Sequence, residues 1–191
     1  MKEENIDKGM KLSEHLASPS VASLSHLSEL DGVRLSPHFT LGEMTKTSYD
    51  TQDGNMPGPV AIGNLRRLCE DWLEDLRYSY NTLYGDLRGR GGEGAAQEEI
   101  PVVINSAYRS AEVNHRCWGS PTSNHLTGCA VDIGCMGPEQ QIRYGAILLD
   151  MADGKRQAFD ELLFERRGTT YWIHLAVRPA SNRRRIAFDM R

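Results

Sequence analysis

Two short stretches of this 191-residue chain concentrate side chains that can bind a metal or move a proton. The first is Ser123-Asn124-His125-Leu126-Thr127-Gly128-Cys129-Ala130-Val131-Asp132, and the second is Trp172-Ile173-His174. Imidazole nitrogens and carboxylate oxygens are donors suited to a divalent metal. His125 and Asp132 stand seven residues apart with Gly128 between them. That gap lets a ligand on a loop converge with a ligand on a strand. A third stretch, Ser106-Ala107-Tyr108-Arg109-Ser110, contributes Arg109, a planar and permanently charged fork suited to a carboxylate. The four cysteines, Cys69, Cys117, Cys129 and Cys135, contain no C-x-x-C pair and read as buried small apolar groups.

The surrounding pattern supplies elements to hold these residues. Pro101–Ser106 and Cys129–Ile133 read as short buried strands, and Ser110 caps a helix over Ala111–Cys117. Ile62, Leu65, Cys69, Trp72, Leu76 and Tyr80 recur every three or four residues, which predicts a long amphipathic helix over Pro59–Tyr80. Pro138 opens another helix running to Ala152, with Ile142, Ala146 and Leu149 expected to face inward. Phe159–Glu165 and Tyr171–Val177 read as strands of a hairpin with Gly168 at its turn, and Arg185–Phe188 as an added edge strand. Gly85–Glu99, rich in glycine and charge, reads as a flexible loop; it lacks the Gly-Lys-Ser/Thr ending of a phosphate cradle.

Composition bounds the reading. The length fits one domain, and 39% apolar with 25% charged residues is ordinary for a globular chain. There are 22 basic and 26 acidic residues, a net charge of −4 that argues against a dedicated nucleic-acid binder. The charge is uneven: residues 1–100 carry −7, residues 101–165 carry −3, and residues 166–191 carry +6. The first 35 residues hold no apolar run long enough for a signal peptide core or a membrane span. They read as an N-terminal extension, loosely packed or helical, preceding a domain over 36–191.

The pattern S-x-H-x-x-G-x-A-x-D, with the Trp172-Ile173-His174 and Ser106–Ser110 pieces in order, resembles the M15 family of zinc D-Ala-D-Ala metallopeptidases. It is most similar to that family's small bacterial and phage subgroup, over about Phe39 to Ile186. Phe39-Thr40-Leu41-Gly42-Glu43-Met44 resembles the family's opening segment, and Asn182-Arg183-Arg184 its usual close. The resemblance implies one zinc per chain held by His125, Asp132 and His174. It implies that Arg109 binds a substrate carboxylate or a developing oxyanion, and that Ser123 contacts substrate or orients a ligand. It implies an α+β fold, with a small antiparallel sheet carrying the zinc site and helices flanking it, as in hedgehog and DD-peptidase domains. Some members place a glutamate three residues before the last histidine; here that position is Tyr171. The small-protein subgroup carries it at the end of the preceding strand, where Glu165 stands. Pairing about the Thr169–Thr170 centre puts Glu165 opposite His174, within reach of a water on the metal. Glu161 shares the strand parity but lies too far from the hairpin for this pairing. Relatives often have Gly-Gly where this chain has Trp118-Gly119.

The expected activity is hydrolysis of a peptide bond in bacterial peptidoglycan stem peptides, D-Ala-D-Ala carboxypeptidase-like, with Glu165 as general base and then proton donor. Alternatives are an L-Ala-D-Glu or crosslink endopeptidase of the phage lysin type, and a non-catalytic zinc-stabilised binding module. The expected partner is the peptidoglycan peptide, with no nucleic acid and no membrane insertion, and the expected state a monomer. The expected location is the cytoplasm, or the cell wall after release as a phage or prophage lysin.

Overall fold

The structure is a computed structural model that describes residues 32–85, 99–155 and 158–190. The N-terminal extension up to Asp31 and nearly all of the glycine-rich loop lie outside the described residues. Among the described residues, five strands form one sheet in the order β1-β2-β4-β3-β5. They are β1 (Val103–Ser106), β2 (Ala130–Cys135), β3 (Glu161–Arg167), β4 (Thr170–Ala176) and β5 (Arg185–Met190). The fold class is α+β as expected, but the sheet is mixed rather than antiparallel. After β4 the chain passes beneath the start of β3, and β5 lies parallel to β3 on its outer side. Arg184 N–H and Arg185 N–H donate to the carbonyls of Phe159 and Asp160 and fasten that crossing.

Helix α1 (Leu41–Thr45) opens with a capping box, Thr40 and Glu43 each closing the other's backbone N–H. The expected long helix is present and longer: α2 (Pro59–Leu68) runs through a π turn at Cys69–Leu73 into α3 (Glu74–Tyr84). Proline at its first turn and the expected stripe explain it, since Leu65, Cys69, Trp72, Leu76 and Tyr80 are all buried. Trp72 meets Phe159 edge-on, and Tyr80 meets Tyr144 of α5. Ser110 caps α4 (Ala111–Arg116) by accepting from Val113 N–H.

Helix α5 (Pro138–Gly154) is rotated relative to expectation. Ile142 is 63% exposed and Ala146 is exposed, while Gln141, Tyr144, Ile147, Leu148 and Met151 are buried. A buried amide misleads the hydrophobic pattern here. Gln141 Nε2 donates to the carbonyls of Glu165 and Trp172, so a polar side chain joins the helix to the hairpin.

Strands β2, β3 and β4 alternate in chemistry because successive side chains leave on opposite faces. Val131, Ile133, Leu162, Phe164, Ile173 and Leu175 enter the core beneath the helices. Asp132, Glu161, Leu163, Glu165, Trp172 and His174 line a cleft on the other face.

Candidate active site

The cleft has a volume of about 830 Å³ and is also lined by Asn105, Arg109, Ser123 and His125. His125 sits in a 3₁₀ turn, Asn124–Thr127, whose first N–H groups are capped by Ser123: its Oγ accepts from His125 N–H at 3.3 Å. Gly128 ends that turn at φ 69, and a Cβ there would lie 2.5 Å from the Ala61 carbonyl oxygen. Only glycine combines that conformation with so close an approach to α2. Asn64 of α2 ties the turn down by donating to the Thr127 carbonyl at 2.9 Å.

Asp132 and His174 face one another across the β2–β4 ladder. The His174 Nδ1 lies 2.9 Å from Asp132 Oδ1, and His125 Nε2 lies 3.3 Å from the same oxygen. The two imidazole rings are 5.0 Å apart at 62°. His125, Asp132 and His174 each offer a ligand atom within 4.8 Å of the other two, so the three expected residues form a cluster that can hold a metal ion. The donor set fits one. His125 Nδ1–H donates to the Ala107 carbonyl at 2.5 Å, which leaves Nε2 bare toward the cluster. Burial would raise Asp132, but His125 and His174 overcome it and hold the carboxyl well below the ordinary range, so it stands ionised. Burial, opposed by Asp132, lowers His125 and favours its neutral, ligating form. Burial would likewise lower His174, yet Asp132 and Glu161 raise it to about 9, so metal binding there displaces a proton.

Arg109 is brought to the cluster, but onto Asp132. Its guanidinium donates to Asp132 Oδ2 at 2.5 Å and to Ser106 Oγ at 2.9 Å. A ladder irregularity between Ile104 and Ser106 sets Ser106 opposite Asp132. Cys129 is buried outside the cluster, and Cys117 and Cys135 are half-buried; the cysteines do not join the histidines.

Glu165 lines the cleft as expected, but its expected partner is corrected. Glu165 pairs with Trp172, and Leu163 pairs with His174. The turn centres on Gly168-Thr169, with Gly168 at φ 60, one residue earlier than the assumed centre. A shift of two in pairing preserves the face, so Glu165 and His174 still share the cleft. Burial and the Asp132 charge raise the Glu165 carboxyl above its ordinary value, with His174 opposing. Glu161 differs: the His174 imidazole, with help from Arg185, holds its carboxyl down to about 2.

Several site residues carry no local motif. Asp160 is fully buried and accepts from Arg183 Nε at 2.9 Å and Arg183 Nη2 at 2.6 Å, with Arg178 at 2.8 Å. Arg185 donates to Glu161 at 2.8 Å. Three of the arginines behind the basic C-terminal charge are therefore paired at the cleft rim. The family resemblance at Asn182-Arg183-Arg184 was the available signal for Arg183; Asp160 had none.

Residues 94–176 match the family model described as Peptidase M15. The chain carries a peptidase domain of the M15 kind. The matched span contains the whole His-Asp-His cluster, Arg109, Ser123 and Glu165 of this M15 domain. No curated protein matches the chain at a significant level. No helix among the described residues is long and apolar enough to cross a membrane.

Proposed function

We propose that this M15 domain is a zinc-dependent peptidase that cleaves a peptide bond in bacterial peptidoglycan stem peptides, D-Ala-D-Ala carboxypeptidase-like. The observation that carries the reading is the convergence of His125, Asp132 and His174 on one cleft face with a carboxyl, Glu165, whose proton affinity is raised. Two imidazoles and one carboxylate make a three-ligand set of the kind zinc takes in hydrolases. Bound there, zinc would supply Lewis acidity and a water acidic enough to react near neutral pH.

The chain's residues divide the remaining work. Glu165 accepts the proton of the attacking water and passes it to the leaving amine nitrogen, so the peptide bond breaks as the new C–O bond forms. A carboxyl raised toward neutral pH suits both roles. Arg109 holds Ser106 and Asp132 through two of its nitrogens and borders the cleft, and its permanent positive charge there would attract a substrate carboxylate or a developing oxyanion. Ser123 fixes the His125 turn from the cleft wall.

An endopeptidase reading is favoured by one feature. A second groove of about 270 Å³, lined by Val103, Met136 and Tyr171, shares Asn105 and Thr170 with the main cleft. A substrate chain could continue along it past the scissile bond.

The test is mass spectrometry of products from a defined muropeptide, with zinc analysis of the same preparation. Release of terminal D-alanine supports the carboxypeptidase reading, and internal cleavage the endopeptidase. Zinc present without cleavage of any muropeptide, by wild type and Glu165→Gln alike, would leave a zinc-stabilised binding module.

A further inference from the structure

The two histidines of the cluster present different nitrogens, and each has its other nitrogen occupied in a different way. His125 points Nε2 at Asp132 and gives Nδ1–H to the Ala107 backbone. His174 points Nδ1 at Asp132, and its Nε2 lies 3.7 Å from Glu161 Oε2. We propose that Glu161 is a positioning residue for His174, a carboxylate that fixes the ring with Nδ1 toward the metal; this rests on the metal-site reading above.

Glu161 is built for that task by its surroundings. Its side chain is 14% exposed. Oε1 takes Arg185 at 2.8 Å and Arg183 at 3.1 Å, while Oε2 faces His174 and lies 3.4 Å from Asn124 Nδ2. Asn124 also donates to Asp160 Oδ2 at 2.9 Å, and Asp160 holds Arg183 by two hydrogen bonds. Glu161 therefore belongs to a fixed frame that joins β3, the crossing before β5 and the turn carrying His125. A carboxylate so held, 3.7 Å from Nε2, favours the proton on that nitrogen through its charge, which leaves Nδ1 bare and raises its donor strength. The division between two glutamates on one strand follows. Glu161, locked by arginines, orients a ligand; Glu165, with its raised proton affinity, handles protons.

The experiment measures zinc affinity of the folded chain by competition with a chromophoric chelator, alongside the cobalt(II) absorption spectrum. Partners of this kind carry about 10–100-fold in metal affinity. Glu161→Ala should weaken zinc by about that factor and shift the cobalt bands. Glu161→Gln keeps the shape and an acceptor oxygen, so it should fold and weaken zinc by less, restoring the cobalt bands most of the way. Glu165→Gln should leave affinity at the wild-type value. Wild-type affinity and spectra in both Glu161 variants would overturn the proposal. A wild-type chain that binds no zinc would instead overturn the metal-site reading beneath it.

Discussion

On one face of β2, β3 and β4 stand Val131, Ile133, Leu162, Phe164, Ile173 and Leu175, all buried in the core. On the other stand Asp132, Glu161, Glu165 and His174. Both faces come from the same strands in the same register. The core face asks only for apolar groups of the right volume, and several residue types would satisfy it. The cleft face asks for particular atoms at particular positions, because a ligand or proton acceptor displaced by an ångström loses its function. Substitutions on the two faces should therefore fail differently: the cleft face in chemistry, the core face in stability.

The sharpest way to break that contrast is on the cleft face. Glu165→Gln should lower kcat by about 10²–10⁴-fold while the melting temperature and zinc content stay at wild-type values. His125→Ala should abolish both hydrolysis and zinc retention. Steady-state kinetics with metal analysis separates the two. A Glu165 variant retaining wild-type kcat would remove this residue from the chemistry.

The contrast also explains what was legible in the sequence. His125, Asp132 and His174 stood out because a ligand set tolerates few residue types at its spacing, and the structure brings all three together. Glu165 was placed on the correct face with the wrong partner. A turn centre misplaced by one residue shifts the pairing by two, and period-two alternation hides that error. On α5 the pattern misled because Gln141 is buried for its hydrogen bonds to two strand carbonyls, while Ile142 points outward. Asp160 was illegible, and so was its pairing with Arg183, which only the family resemblance had marked. Their partnership spans residues 160 to 183 and depends on where the chain crosses to β5. The parallel direction of β5 was hidden for the same reason, being a property of topology rather than of local pattern.

The core face is tested at Gly145. A Cβ there would lie 2.3 Å from the Phe164 ring, itself stacked on Phe188. Alanine is the better helix former by about 1 kcal/mol, but overpacking a core costs about 1–3 kcal/mol. The steric loss should win, so Gly145→Ala should lower the melting temperature with kcat per folded molecule unchanged. A stabilised variant would mean that the Phe164 ring yields freely.

Asp160 sits between the two regimes, buried like the core yet charged like the cleft. Arg183, ahead of burial, which opposes it, holds its carboxyl below the ordinary range, so its contribution is present above the unfolded value near pH 4. That contribution is lost as pH falls from about 4 toward the lowered native value. Asp160→Asn should cost about 2 kcal/mol at pH 7, because Arg183 is half exposed and regains water. The gap between wild type and variant should close in denaturant titrations carried down through pH 4. A gap constant with pH would show that charge is not what Asp160 contributes.

The smallest effect is expected at Trp118, beside the cleft-lining Gly119. Trp118 N–H donates to the His115 carbonyl and Gly119 N–H to that of Asn114, the two bonds of a Schellman ending to α4. In that motif the residue at φ 56 is normally glycine, and here it is a tryptophan that is 94% exposed. A left-handed conformation costs a side-chain-bearing residue about 1–2 kcal/mol, and almost no burial offsets it here. Glycine would remove that cost and return part of it as extra freedom in the unfolded chain. Trp118→Gly should therefore raise stability by about 0.5–1 kcal/mol, measured by chemical denaturation. Because an exposed ring beside the cleft adds nothing to the fold, any rise in KM in this more stable variant would be a contact with substrate made by Trp118 itself. A variant less stable than wild type would mean that the indole packs on the domain after all.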